Sequence, residues 1–132
     1  MKNTFIAFLA LAFLAAGVAA HAHHSFAAVY DGTKIVRIEG RLVSFAFRSP
    51  HSVVGVDVMD EQGNTQRWTV EWGTATQLAN QGITRDFFKP GDHVIITGNP
   101  GRNASVRVMV MKSLTRPSDG FEWGNRPDEV VR

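Results

Sequence analysis

The feature that most constrains this chain is a series of short alternating segments with one brief helical stretch among them. From Thr65 to Trp72 (TQRWTVEW), Trp68, Val70 and Trp72 fall on one face and Arg67, Thr69 and Glu71 on the other. A period of two marks a strand with one buried side. Val54, Val56 and Val58 repeat it in the run opened by His51 (HSVVGVDVMD). His93 to Gly98 (HVIITG) reads as a fourth strand, and Ser105 to Thr115 (SVRVMVMKSLT) as a fifth. In that last run Val106, Val108 and Val110 oppose Arg107, Met109 and Met111. Both faces are mostly apolar toward its middle, so cover on both sides is expected.

The first strand is the longest, Lys34 to Phe47 (KIVRIEGRLVSFAF). Its alternation slips, and a bulge or bend at Gly40 is the expected cause. Turn residues separate the runs at Arg48-Ser49-Pro50, Asp60–Asn64, Lys89–Asp92 and Asn99–Asn103. Thr74 to Gln81 (TATQLANQ) fits a short helix with Thr74 as N-cap and Gly82 as the stop. Three strands, a short helix and two strands is the order of an all-β, five-stranded Greek-key barrel of OB type, with the helix between strands three and four. A β-sandwich accommodates the same order, because strand neighbours are not legible in one sequence.

The first residues are of another kind. Lys2 precedes an uninterrupted apolar run from Phe5 to Ala16, and small residues follow at Gly17, Ala19, Ala20 and Ala22. That layout is a secretory signal, shorter than the roughly 20 residues a membrane anchor needs. The expected division is a signal at 1–22, an arm at 23–33, the barrel at 34–116 and a polar tail at 117–132, with Phe121 and Trp123 as possible anchors. The expected location is periplasmic or secreted, with no membrane span after signal removal. About 110 residues then remain, enough for one core. The net charge of +2 falls to +1 on loss of Lys2. On that ground a nucleic-acid partner is not expected. There is no cysteine, so no thiolate ligand, cysteine nucleophile or haem attachment motif.

The seam between signal and arm reads Ala20-His21-Ala22-His23-His24-Ser25-Phe26 and holds three of the five histidines. Cleavage after Ala22 makes His23 the terminal residue. Its α-amine, with a pKa near 8, and its ring nitrogen then offer a chelate to one ion. Copper favours such nitrogen sets, and His24 adds a second imidazole. Cleavage after Ala20 leaves His21-Ala22-His23, which also suits Cu(II). His51 is the candidate third ligand. Its competing role is packing against Trp68 or Trp72, or bonding a loop carbonyl. An arm folding back along the first strand reaches His51 only if that strand curls.

Arg67, Trp68, Glu71 and Trp72, with Arg107, are candidates for a ligand groove on the barrel. Alternation favours an exposed Glu71. Met59, Met109 and Met111 are the soft-ligand alternatives, though methionine in a valine strand is usually core. His93, after a tight turn, is expected to face solvent. No nucleophile triad, phosphate loop or nucleotide fingerprint is present, and no catalytic residue is assigned.

HHSFAAVYD after a signal, SPH opening a valine strand, W-T-V-E before a short helix, G-I-T-R-D, and K-P-G-D before the fourth strand together resemble a family of small secreted bacterial proteins of unknown function. Its mature part typically opens HHSFAAEFD and carries NPH and LKPGD. The resemblance extends to about Thr115. It departs at Ser49 (usually Asn), near Thr74 (usually Ser-Pro) and at Ile83 (often Trp). It implies export and a small barrel, and no activity. The residues themselves point first to an exported metal-binding protein, with copper as the metal. The alternative is a metal-free module whose groove binds a sugar, a peptide or another envelope protein. A copper-dependent oxidative enzyme is the third reading.

Overall fold

The computed structural model describes residues 26–124. Six strands and one helix follow in order: β1 (Val36–Ala46), β2 (Val53–Met59), β3 (Thr65–Glu71), α1 (Ala75–Asn80), β4 (His93–Pro100), β5 (Val108–Arg116) and β6 (Phe121–Gly124). β1 pairs antiparallel with β2 and β4, β2 with β3, and β4 with β5. β3 and β5 then close the sheet in parallel through Thr69↔Val108, Val70↔Met109 and Glu71↔Val110. A sheet closed in the order 1-2-3-5-4, with a helix between the third and fourth strands, is the expected OB barrel. The sandwich alternative does not form, because one sheet meets itself.

The alternation selects what lies inside. Leu42, Val54, Val56, Val70, Val94, Ile96, Met109 and Leu114 have no exposed surface. Leu78 of α1 joins this core with Ile83 and Phe88 from the loop that follows. The helix starts where expected: Thr74 Oγ1 accepts from Gln77 N, while Gln77 Oε1 accepts from Thr74 N, a reciprocal cap. Gly82 takes a positive φ of 80° just past its end.

Several expectations shift. The β1 bulge lies between Leu42 and Ser44, where the apolar phase jumps from Leu42 to Val43. Gly40 has another role: a Cβ there would stand 2.1 Å from the carbonyl oxygen of Asp57, so the glycine permits close approach of β2. β5 starts at Val108 rather than Ser105, because Asn103 Oδ1 accepts from Ser105 N and holds that stretch in a turn. Met59 is exposed, whereas Met109 and Met111 are core. The tail contributes a sixth strand: Phe121 and Trp123 pair with Arg116 and Leu114. In the arm, residues 26–29 form a helical turn, and Tyr30 docks through a bridge to Gly101.

Candidate binding sites at two openings of the barrel

Trp68 of β3 and Trp72, one residue past its end, alternate with buried Val70 between them. Four residues of extended chain set their backbones about 13 Å apart, and each lines a different cavity. The single groove expected from Arg67, Trp68, Glu71 and Trp72 is therefore divided.

The first cavity, of about 540 Å³, lies between Pro50-His51, Gln77 and Gln81 of the helical segment, and Trp72 and Trp123. The loop that presents His51 is tied down on both sides. Ser52 Oγ bonds Arg48 O and N at 3.1 and 3.2 Å, Ser52 N donates to Gly73 O, and Ala75 N donates to Arg48 O. The Ser49–Pro50 peptide in this loop is cis. His51 is exposed and has no hydrogen-bond or ring partner among the described residues; with Trp72 it lines this cavity. Trp72 is 4% exposed and belongs to the core. Its ring meets Phe45 and Phe88 at 5.9 Å and Trp123 at 5.0 Å. Its Nε1 is buried and has no hydrogen-bond partner among the described residues.

The second cavity, also about 540 Å³, opens where β3 and β5 part below Thr69↔Val108. Asp31, Lys34, Trp68, Arg102 and Arg107 are among its lining residues. The Arg107 guanidinium stands 5.8 Å from the centre of the Trp68 ring, and no described carboxylate pairs with it. Lys34 is matched by Asp31 at 3.2 Å, and Arg102 Nε donates to Ala27 O at 2.5 Å. Arg67 projects from the opposite face of β3 and pairs with Asp57, Nη2 to Oδ2 at 3.0 Å. It takes no part in either cavity.

Of the expected metal ligands, His23 and His24 lie outside the described residues. Among those described, no group of three His, Asp or Glu side chains is placed to hold an ion. Glu71 is half-buried rather than exposed, because the arm covers it. The phenol of Tyr30 is pushed well above its ordinary value, first by burial and then by the charge of Glu71 and a hydrogen bond to it. Glu71 stands opposite Val53, two residues beyond His51. The backbone of the arm is held by the end of β4: Asp31 N donates to Pro100 O, Arg102 N donates to Val29 O, and Tyr30 bridges Gly101. His93 is partly exposed, with Nε2 3.0 Å from Glu39 Oε1.

The sequence reading passed over Gln77, Gln81 and the pairing of Trp123 with Trp72. The two glutamines were accessible to it: four residues apart, they share a helix face. The place of Trp123 was not, since it depends on a strand without a recognisable period.

The family DUF6152, described as a family of unknown function, matches residues 11–109. The chain belongs to that family. No curated protein sequence matches the chain. Two crystal forms of the mitochondrial single-stranded DNA-binding protein Rim1 from S. cerevisiae are similar in structure. The first is 13% identical with a TM-score of 0.49, over 70% of this chain and 98% of that one. The second is 13% identical with a TM-score of 0.46, over 62% and 92%. At that identity the likeness is one of fold.

One expectation needs correcting here. The net charge had set a nucleic-acid partner aside, yet these solved structures of similar fold are named as single-stranded DNA-binding proteins. Net charge averages over a surface on which Arg37, Arg67 and Arg116 are each held by carboxylates. Arg107, unmatched, stands with Lys34 and Arg102 at the Trp68 opening. Among the described residues no helix is long and apolar enough to cross a membrane.

Proposed function

We propose that this DUF6152 protein is an exported metal-binding protein, and that the metal is copper, held by His23 and His24 of a mature N-terminus with His51 as third nitrogen ligand. The observation that supports it is the path of the arm. The arm is tied to Pro100 and Arg102, the Glu71 charge acts on the Tyr30 phenol, and the ladder neighbour of Glu71, Val53, lies two residues from His51. That brings the arm to the flank on which an unpartnered imidazole stands. An α-amine and two or three imidazoles form the nitrogen set copper prefers. Backbone bonds from Asp31 N to Pro100 O and from Arg102 N to Val29 O anchor the arm.

The test is native mass spectrometry of protein exported and processed by a bacterial host, purified without a tag in front. A chain starting at His23 with one bound copper is the expected result. One extra residue before His23 abolishes tight Cu(II) binding, and His51→Ala weakens it and removes one nitrogen from the paramagnetic spectrum. A processed chain that stays copper-free after equilibration with Cu(II) overturns the proposal.

A second reading, a metal-free binding module, draws support from the Trp68 opening. A half-buried indole beside Arg107, Arg102 and Lys34 suits a phosphate-bearing single strand, with phosphates on the cations and a base on the ring. Fluorescence anisotropy of a labelled thymidine oligonucleotide at low salt tests it. Binding weakened by Arg107→Gln and by Trp68→Leu supports this reading, and binding indifferent to both counts against it.

A further inference from the structure

The barrel closes over only part of β3. The whole strand, Thr65–Glu71, pairs with β2, but only Thr69, Val70 and Glu71 pair with β5. Alternate residues of a strand turn their main-chain N–H and C=O to the same edge. Trp72 N donates to Ser52 O, and Asn64 O accepts from Asp60 N, so the even-numbered residues are turned toward β2. Thr69 N donates to Arg107 O on the other edge. Thr65 and Arg67 share that edge, and both are exposed. Among the described residues no main-chain group meets theirs there, because the chain before Val108 is held in the Asn103–Ser105 turn.

The space beside this open edge is the second cavity, of about 540 Å³. Trp68 alternates with core Val70 and so lies on the inner face of β3. A strand added at the edge places the side chain opposite Trp68 on that same face, in the cavity. Three cations line it, Lys34, Arg102 and Arg107, against one carboxylate, Asp31. Asp31 matches Lys34 at 3.2 Å. Arg107 stands over the Trp68 ring with no described carboxylate. The cavity therefore carries a positive excess. A second copy of this chain, paired through the same edge, would set these cations against one another, so charge disfavours that occupant.

We propose that the open edge of β3 takes up an extended acidic peptide segment of a partner protein as an added strand. Thr65 and Arg67 supply the main-chain ladder, and a carboxylate side chain opposite Trp68 pairs with Arg107. The two parts select together: the ladder requires an extended main chain, and the cations require acid. The opening is the one that the second reading gives to a phosphate-bearing single strand. A nucleic acid can use the cations and the indole, but it has no alternating amide donors and acceptors to offer Thr65 and Arg67. The inference goes beyond both readings and requires no metal.

The test is an NMR titration of the full processed chain with the acetylated, amidated peptide Thr-Val-Glu-Val-Glu-Val-Thr, whose two glutamates share one face when extended. The readout is amide hydrogen exchange. At saturation the Thr65 and Arg67 amides exchange at least about fivefold more slowly. N-methylation of one alternating set of peptide amides abolishes binding and that of the other set leaves it, since an added strand uses one edge. Arg107→Gln, at an exposed position, weakens binding about tenfold, the worth of a charge-assisted hydrogen bond. The peptide with lysine in place of glutamate loses at least as much. Absence of binding at about 1 mM peptide overturns the inference. So does binding that leaves both amides unprotected, or a lysine peptide that binds as tightly. A thymidine oligonucleotide that protects the same two amides equally also overturns it. The second reading fails separately, on absence of oligonucleotide binding alone.

Discussion

Leu42→Ala probes whether the barrel closes as described. Leu42 has no exposed surface and sits at the bulge, where β1 turns from β4 toward β2. Its backbone is held on the side away from β2: its N–H donates to Asp92 O at 2.8 Å, and its carbonyl accepts from Gly91 N at 2.7 Å. A pinned backbone cannot move inward to fill the space left by the lost carbons. Leu→Ala changes in such cores cost about 2.7 to 5 kcal/mol, rising with the cavity that remains. The pinning places this site in the upper half, at about 4 kcal/mol. For a domain of this size that lowers Tm by on the order of 20 °C. Urea unfolding followed by tryptophan fluorescence, with calorimetry for Tm, measures it. Met59→Ala is the control: Met59 is 73% exposed, and its loss should stay within about 0.5 kcal/mol. A Leu42→Ala loss below about 1.5 kcal/mol, with an unchanged denaturant slope, refutes the reasoning, since it means that the site collapses or is not enclosed.

Gly98→Ala should destabilise by about 2 to 4 kcal/mol in the same urea assay. The new Cβ would stand 2.2 Å from the carbonyl oxygen of Val110, on the strand that closes the barrel. The sole tyrosine makes a clean alkaline titration. The folded Tyr30 pKa is raised, so the associated stability is present below the ordinary value of 10.0 and is lost as pH climbs above it. Tyrosinate absorbance should therefore appear only with unfolding, and at lower pH in Glu71→Gln. A phenol that ionises near 10.0 in the folded protein contradicts the contact. Asp31 is held at about 2 by the Thr33 hydroxyl, then by the Thr33 N–H and Lys34. Its contribution is present above 3.8 and is lost as pH falls toward 2. A carboxyl NMR titration should show that midpoint, and Thr33→Val should raise it.

Local chemistry made much of the fold legible. Period-two patterning, turn residues and the Thr74 cap act within a few residues of themselves, so β2, β3, β4 and α1 could be read almost to their ends. The errors have causes of another range. The slip after Leu42 was visible, yet its assignment to Gly40 went astray because the demand on Gly40 comes from Asp57 on another strand. β6 was missed because four residues carry too little period to register, and their pairing with β5 is a long-range gain.

The candidate sites divide in the same way. The sequence by itself determined residue chemistry: an apolar run from Phe5 to Ala16, three histidines soon after it, no thiols, and alternating indoles at Trp68 and Trp72. Only the tertiary structure decided which of these groups meet. It separated Trp68 from Trp72 by filling the space between them with Val70, turned Arg67 to Asp57, and joined Trp123 to Trp72. The physical reason is that alternation assigns a side chain to a face, whereas a binding site needs a position along the barrel and a neighbour across it. Those follow from closure of β3 on β5, a pairing between segments that nothing local in either one specifies.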